Sequence, residues 1–138
     1  MKYFPLLFIA AIFFATSCSK SSQDLLVGTW KANSLKLNTK GSNNQDTVLD
    51  FTPFLSFSPT SITFNKCATT CTGNTVFFGN TSNFTYQLSS DEKTINIIDS
   101  TISSNVSITE LTASSLKVKF PFPSGLLYSG VMDIALTK

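Results

Sequence analysis

Short runs of alternating apolar and polar side chains dominate the second half of the chain. In NFTYQL, Phe84, Tyr86 and Leu88 alternate with Thr85 and Gln87. In SLKVKF, Leu116, Val118 and Phe120 alternate with Lys117 and Lys119, and VMDIALT puts Met132, Ile134 and Leu136 on one face. TINII, NVSITEL and the shorter SITFN follow the same period of two, which is that of a half-buried strand. Apolar spacing of three and four is not sustained anywhere, and DLLVGTW accommodates a single helical turn. The turn clusters SSDEK, IDSTISSN and TASS separate the runs. The pairs 84–88 with 94–98 and 106–111 with 115–120 therefore predict successive antiparallel hairpins. One apolar face per strand implies a core on one side and water on the other. The expected fold is an all-β antiparallel meander of about eight strands, which must close into a barrel or a sandwich to hide its edges.

The first residues depart from this pattern. MKYFPLLFIAAIFFATSCSK has one positive charge at Lys2, an apolar run from Phe4 to Phe14, and then small residues. That is the layout of a secretory signal. The uncharged stretch from Tyr3 to Ser17 is short for a bilayer span, which needs about 20 apolar residues. ATSC resembles a bacterial lipobox, with Ala15 where leucine is usual. The resemblance implies that Cys18 becomes the first mature residue and carries lipid, and several acyl chains exceed the marginal anchoring of one. The expected organisation is a lipoprotein signal peptide over 1–17, a small polar tether over 18–23, and one barrel domain over 24–138. The expected location is the cell envelope, lipid-anchored at the outer membrane, on its periplasmic face or at the cell surface.

Charge and composition exclude several functions. Beyond the leader, nine lysines face eight acidic residues, and the chain contains no arginine and no histidine. Bidentate recognition of phosphate by arginine is therefore unavailable. The lysines are scattered singly, so there is no basic footprint for nucleic acid. The lack of histidine removes the commonest general base and metal ligand. Asp91 and Glu92 fall in a turn cluster, where carboxylates are ordinarily solvated, and Glu110 has no evident acidic partner. No phosphate loop, nucleophile elbow or D-x-D-x-D calcium spacing is present. The chain is expected not to be an enzyme and to hold no cofactor or metal.

LLVGTWKANSLKL resembles the first strand of lipocalin-like domains in lipoproteins of Bacteroidetes-type bacteria, which open on a Gly-x-Trp element. Here that element is Gly28, Thr29 and Trp30. The similarity continues through ITFNK, FTYQLSSDEKTINI, ITELTASSLKVKF and MDIALTK, and covers most of 24–138. It implies a small lipocalin-like barrel in which Gly28 and Trp30 are structural, the tryptophan plugging the closed end with its N–H on a backbone partner. It also implies an inner cavity or open mouth for a small apolar ligand. A second resemblance, to envelope domains of the META type, rests on TCTGNTVFFGNTSNFTYQL after a TF strand, with the Gly and Cys order disturbed.

The chain has 13 phenylalanines, and beyond the leader the aromatics concentrate in DFTPFLSF, VFFGN and FPFPSGLLY. Pro53, Pro121 and Pro123 argue against central strands there, so Phe122, between two prolines, is expected in a rigid extended loop. Phe54, Phe122, Leu126, Leu127 and Tyr128 are the candidate rim of an apolar site. The plainer alternative is that these side chains are the core of a small β domain. Two functions follow. One is a membrane-anchored lipoprotein that binds a small apolar ligand. The other is a non-catalytic structural or interaction lipoprotein that docks an envelope protein by an edge strand or its aromatic loops.

Cys67 and Cys71 remain in NKCATTCTGN. Zinc wants four ligands and the chain offers only this pair. The spacing is one residue longer than a C-x-x-C redox motif and no arginine or histidine is near to stabilise a thiolate. An exported compartment favours oxidation. Ala68, Thr69 and Thr70 can form a tight loop that brings the flanking Cα atoms within disulfide reach. A disulfide staple is therefore expected in preference to two free thiols.

Overall fold

The computed structural model describes residues 21–41, 43–67, 69–77, 79–98, 103–122 and 130–138, and of Phe122 only the backbone. The leader and Cys18 lie outside the described residues. A short helix α1 (Ser22–Leu26) precedes β1 (Gly28–Lys40), β2 (Asp46–Asp50), β3 (Ser61–Phe64), β4 (Cys71–Phe77), β5 (Asn80–Leu88), β6 (Thr94–Ile98), β7 (Ser103–Leu111), β8 (Ser115–Phe122) and β9 (Gly130–Thr137). Ser21 caps the helix, its Oγ accepting from the Asp24 N–H at 3.2 Å. Gly28 joins helix to strand at φ +128°, a region that L side chains avoid.

All pairings are antiparallel, and the sheet order β2-β1-β3-β4-β5-β6-β7-β8-β9 closes through β1 and β9. Closure makes an eight-stranded barrel, with β2 riding on the upper half of β1. One edge of β1 serves two partners in turn. Gly28–Lys31 pairs with β3, and Lys36–Lys40 pairs with β2. Between them the chain makes an excursion through a 3₁₀ turn at Thr52–Ser56. The ladder is bridged there by the Thr52 hydroxyl, which accepts from the Leu35 N–H at 3.1 Å, and by the Ala32 N–H donating to the Thr60 carbonyl at 2.9 Å.

A register shift between Ala32 and Ser34 inserts Asn33 into β1. The bulge changes the inward parity: Trp30 points into the core before it, Leu35 and Leu37 after it. A second shift between Ile108 and Glu110 does the same in β7. The predicted apolar faces of β5, β8 and β9 all point inward, and the two predicted hairpins form as β5–β6 and β7–β8. Outside, Lys117 pairs with Glu110 at 2.6 Å, and that contact, with the Ser115 hydroxyl, holds the Glu110 carboxyl below its ordinary pKa.

The expectation of a loop at Phe122 is corrected. β8 continues through Pro121 and Phe122, paired with Val131 and Gly130 of β9. The β7–β8 register ends at Ser107 and Lys119, so a proline nitrogen beyond it breaks no ladder bond and occupies an edge-like position.

Candidate functional site

The antiparallel registers send α1, the β3–β4, β5–β6 and β7–β8 turns, and Lys138 to one end of the barrel. There α1 acts as a plug. Leu26 and Trp30 are fully buried, and the Trp30 Nε1–H donates to the Leu26 carbonyl at 2.7 Å. Gln23 donates to the Tyr86 hydroxyl at 2.9 Å, and Tyr86 donates to the Asn65 carbonyl at 3.1 Å. Burial raises the Tyr86 phenol above its ordinary pKa, and the Gln23 donor works against that shift. Lys138 donates to the Leu25 carbonyl at 2.6 Å and sits 4.4 Å from the Trp30 ring centroid, a cation–π distance. Gly28 faces this lysine: a Cβ there would lie 3.1 Å from Lys138 Cε.

Cys67 and Cys71 are disulfide-bonded, with Cα atoms 4.4 Å apart. The bridge closes the turn just beyond the Asn65–Thr72 backbone bond of 2.9 Å. A loop this short limits the stabilisation to about 2 kcal/mol in the chain-entropy account. Cys67 Sγ also accepts from Gln23 at 3.3 Å, so the staple braces the plug as well as the hairpin.

Above the plug the barrel is hollow. A cavity of about 380 Å³ is walled by Phe64, Phe84, Ile95, Leu116, Val118 and Leu136, and nearer the mouth by Leu35, Ile97, Phe120, Met132 and Ile134. Its size lies within the range of small-molecule sites. The space exists because inward positions of β4, β5 and β7 carry Thr75, Ser82 and Ser104 where larger side chains would meet. Among the described residues, none of the lining side chains is charged. Thr60 completes the wall; it is 8% exposed, and its hydroxyl has no hydrogen-bond partner among the described residues.

Of the candidate rim residues, Phe54 is not among those that wall this cavity. Phe54 lies on the 3₁₀ turn, 53% exposed, with its ring 6.2 Å from Phe51. Leu126, Leu127, Tyr128 and the Phe122 side chain lie outside the described residues.

The family model for the lipocalin-like domain matches residues 26–118. The chain belongs to that family. Neither a curated protein nor a solved structure matches it. The matched span begins in the plug and ends in β8, and β9 completes the lipocalin-like barrel by pairing with both β8 and β1.

The hydroxyl-bearing wall of this lipocalin-like domain escaped the reading of the sequence. Thr60 stands two positions before Ile62 and Ser104 two before Val106, so extending each apolar stripe by one period of two locates them.

Proposed function

We propose that the protein is a non-catalytic lipoprotein that carries a small apolar molecule inside its barrel, anchored at the outer membrane through lipid on Cys18. The observation that supports binding is the apolar cavity of about 380 Å³, closed below by Trp30 and α1 and, among the described residues, free of lining charge. Anchoring rests on the ATSC element. Cys18 is three residue steps from Ser21, a reach of about 10 Å at full extension. An acylated Cys18 therefore holds the plugged end toward the bilayer and leaves the mouth facing away.

Native mass spectrometry of the protein purified from its host is expected to show one stoichiometric small adduct. Ile97→Trp, which places an indole in the cavity, is expected to remove that adduct while preserving the fold. An Ile97→Trp protein that keeps the adduct would place the ligand elsewhere. Cys18→Ala is expected to abolish incorporation of labelled fatty acid, and persistent labelling would refute the anchor.

A second reading is supported by Phe57, 88% exposed, and its neighbour Phe54, both on the excursion between β2 and β3. Exposed rings of this kind suit docking to an envelope protein. An absent adduct together with a co-purifying protein favours that reading.

A further inference from the structure

We infer that the free edge of β2 docks an extended segment of a partner protein. That segment carries two basic residues four positions apart, with an apolar residue midway between them. The inference rests on the docking reading and gives it a surface and a partner chemistry. β2 stands at the end of the sheet order, with β1 as its one neighbouring strand among the described residues. Backbone bonds at the two ends of this ladder fix which groups point where. The Gly41 N–H donates to the Gln45 carbonyl at 2.8 Å, and the Phe51 N–H to the Leu35 carbonyl at 2.8 Å. Both pairs continue the register in which Leu37 faces Leu49 and Thr39 faces Thr47. Bonded and non-bonded pairs alternate along an antiparallel ladder. Thr47 and Leu49 therefore bond to β1, while Asp46, Val48 and Asp50 aim their N–H and C=O groups away from it. Such a row is a template on which another strand can pair.

The side chains of the same three residues define the partner. Asp46, Val48 and Asp50 share the outer face of β2 and are exposed, Val48 by 58%. Leu49 faces inward and packs against the cluster of Leu35, Leu37 and Met132. A second copy of this chain is a poor occupant. A two-fold axis at Val48 would set aspartate against aspartate twice, and like charges directly opposite are destabilising. Charge points instead to a basic strand. On the β1 side, Lys36 faces Asp50 and Lys40 faces Asp46, and neither couple closes into an ion pair among the described residues. Continuing the alternation outward puts a basic residue beside each aspartate. It would lie two strand spacings from the lysines, about 10 Å, where repulsion is largely screened. Asp50 keeps Oδ1 on the Thr52 N–H at 2.9 Å, which leaves its other oxygen for the partner. An apolar residue midway covers Val48. This spacing is the same read from either end, so both strand directions fit. Phe54 and Phe57, on the segment that follows β2, extend the surface.

The test uses the protein purified from its host in mild detergent. A dye-labelled peptide, Thr-Lys-Val-Val-Val-Lys-Thr with both ends capped, is titrated and read by fluorescence anisotropy. It is expected to bind about 10-fold more tightly than the same peptide with glutamate for lysine. Raising the salt from about 0.05 to about 0.5 M is expected to erase most of that preference. Val48→Pro removes one outward N–H and no bond to β1. It is expected to weaken the basic peptide about 5-fold, the size of one neutral hydrogen bond, with little change in melting temperature. Val48→Thr keeps the N–H and is expected to bind as wild type. Asp46→Asn with Asp50→Asn, which leaves the backbone intact, is expected to bind the two peptides equally and keeps the test decisive if the proline variant misfolds. A basic peptide bound no more tightly than the acidic one, or wild-type affinity in a folded Val48→Pro, would overturn the inference. The docking reading would survive that result if a host protein co-purifies and Phe57→Ser releases it, and would fall with the inference if none does.

Discussion

Gly73→Ala is expected to destabilise the barrel by about 3 kcal/mol or more, a large share of a small domain's stability. Gly73 is buried in β4 directly opposite Phe84 of β5. A Cβ there would lie 2.4 Å from the Thr63 carbonyl oxygen and 2.5 Å from the Phe84 ring. Both separations are far inside van der Waals contact. The carbonyl belongs to the neighbouring strand and moves only if the β3–β4 ladder moves. The ring is locked by Phe64, at 5.8 Å and edge-on, and by Tyr86 at 6.2 Å. An aromatic laid over a cross-strand glycine covers backbone that would otherwise be poorly packed. Urea unfolding should therefore show a much lower midpoint for Gly73→Ala. Adding Phe84→Leu should recover part of the loss, since it relieves the ring clash and leaves the Thr63 clash in place. A wild-type midpoint for Gly73→Ala would show that the two strands are further apart than described.

Trp30 supplies the second large effect. Trp30→Ala removes the largest fully buried side chain and is expected to cost about 3–5 kcal/mol. Trp30→Phe separates volume from hydrogen bonding: it keeps most of the ring and strands the buried Leu26 carbonyl, for about 2 kcal/mol. The distinguishing readout is local. Release of the plug should abolish hydrogen-exchange protection of the Leu25 and Val27 amides, which donate to Ser21 and Gln23, before the barrel strands lose theirs. Uniform loss across the chain would show instead that α1 and the barrel open as one unit. Trp30 is the only tryptophan, so a blue-shifted, poorly quenched emission is expected in the wild type.

The strands that alternate cleanly were legible from their residues, because one wet and one buried face impose a period of two on β5, β8 and β9. The route of the first half was not. Asn33 shifts the inward stripe of β1 from even to odd positions, and a bulge leaves no composition signal that separates it from a loop. β2 and β4 carry so many polar residues that their strand character comes from their neighbours' ladders rather than from their own pattern. The two cysteines were placed correctly because a three-residue loop leaves little geometric freedom. The cavity was not legible, because whether inward side chains meet or leave space depends on the ring of eight strands taken together. Phe54 marks a limit of composition: Phe51 and Leu55 of its segment pack against Leu35, Leu37 and Met132 while Phe54 stays half-exposed, and nothing in the aromatic pattern separates the three.

The seam between β1 and β9 has a kinetic consequence. It joins residues roughly a hundred positions apart in the chain, so its loop-closure entropy must be met before any of its contacts form. The hairpins from β3 to β8 close over short distances and can assemble first. The ring cannot shut until the final strand arrives, and until then β1 presents an unpaired edge to any other chain. Folding in the millisecond-to-second range is expected of so non-local a barrel, with premature association through β1 as its main competing outcome.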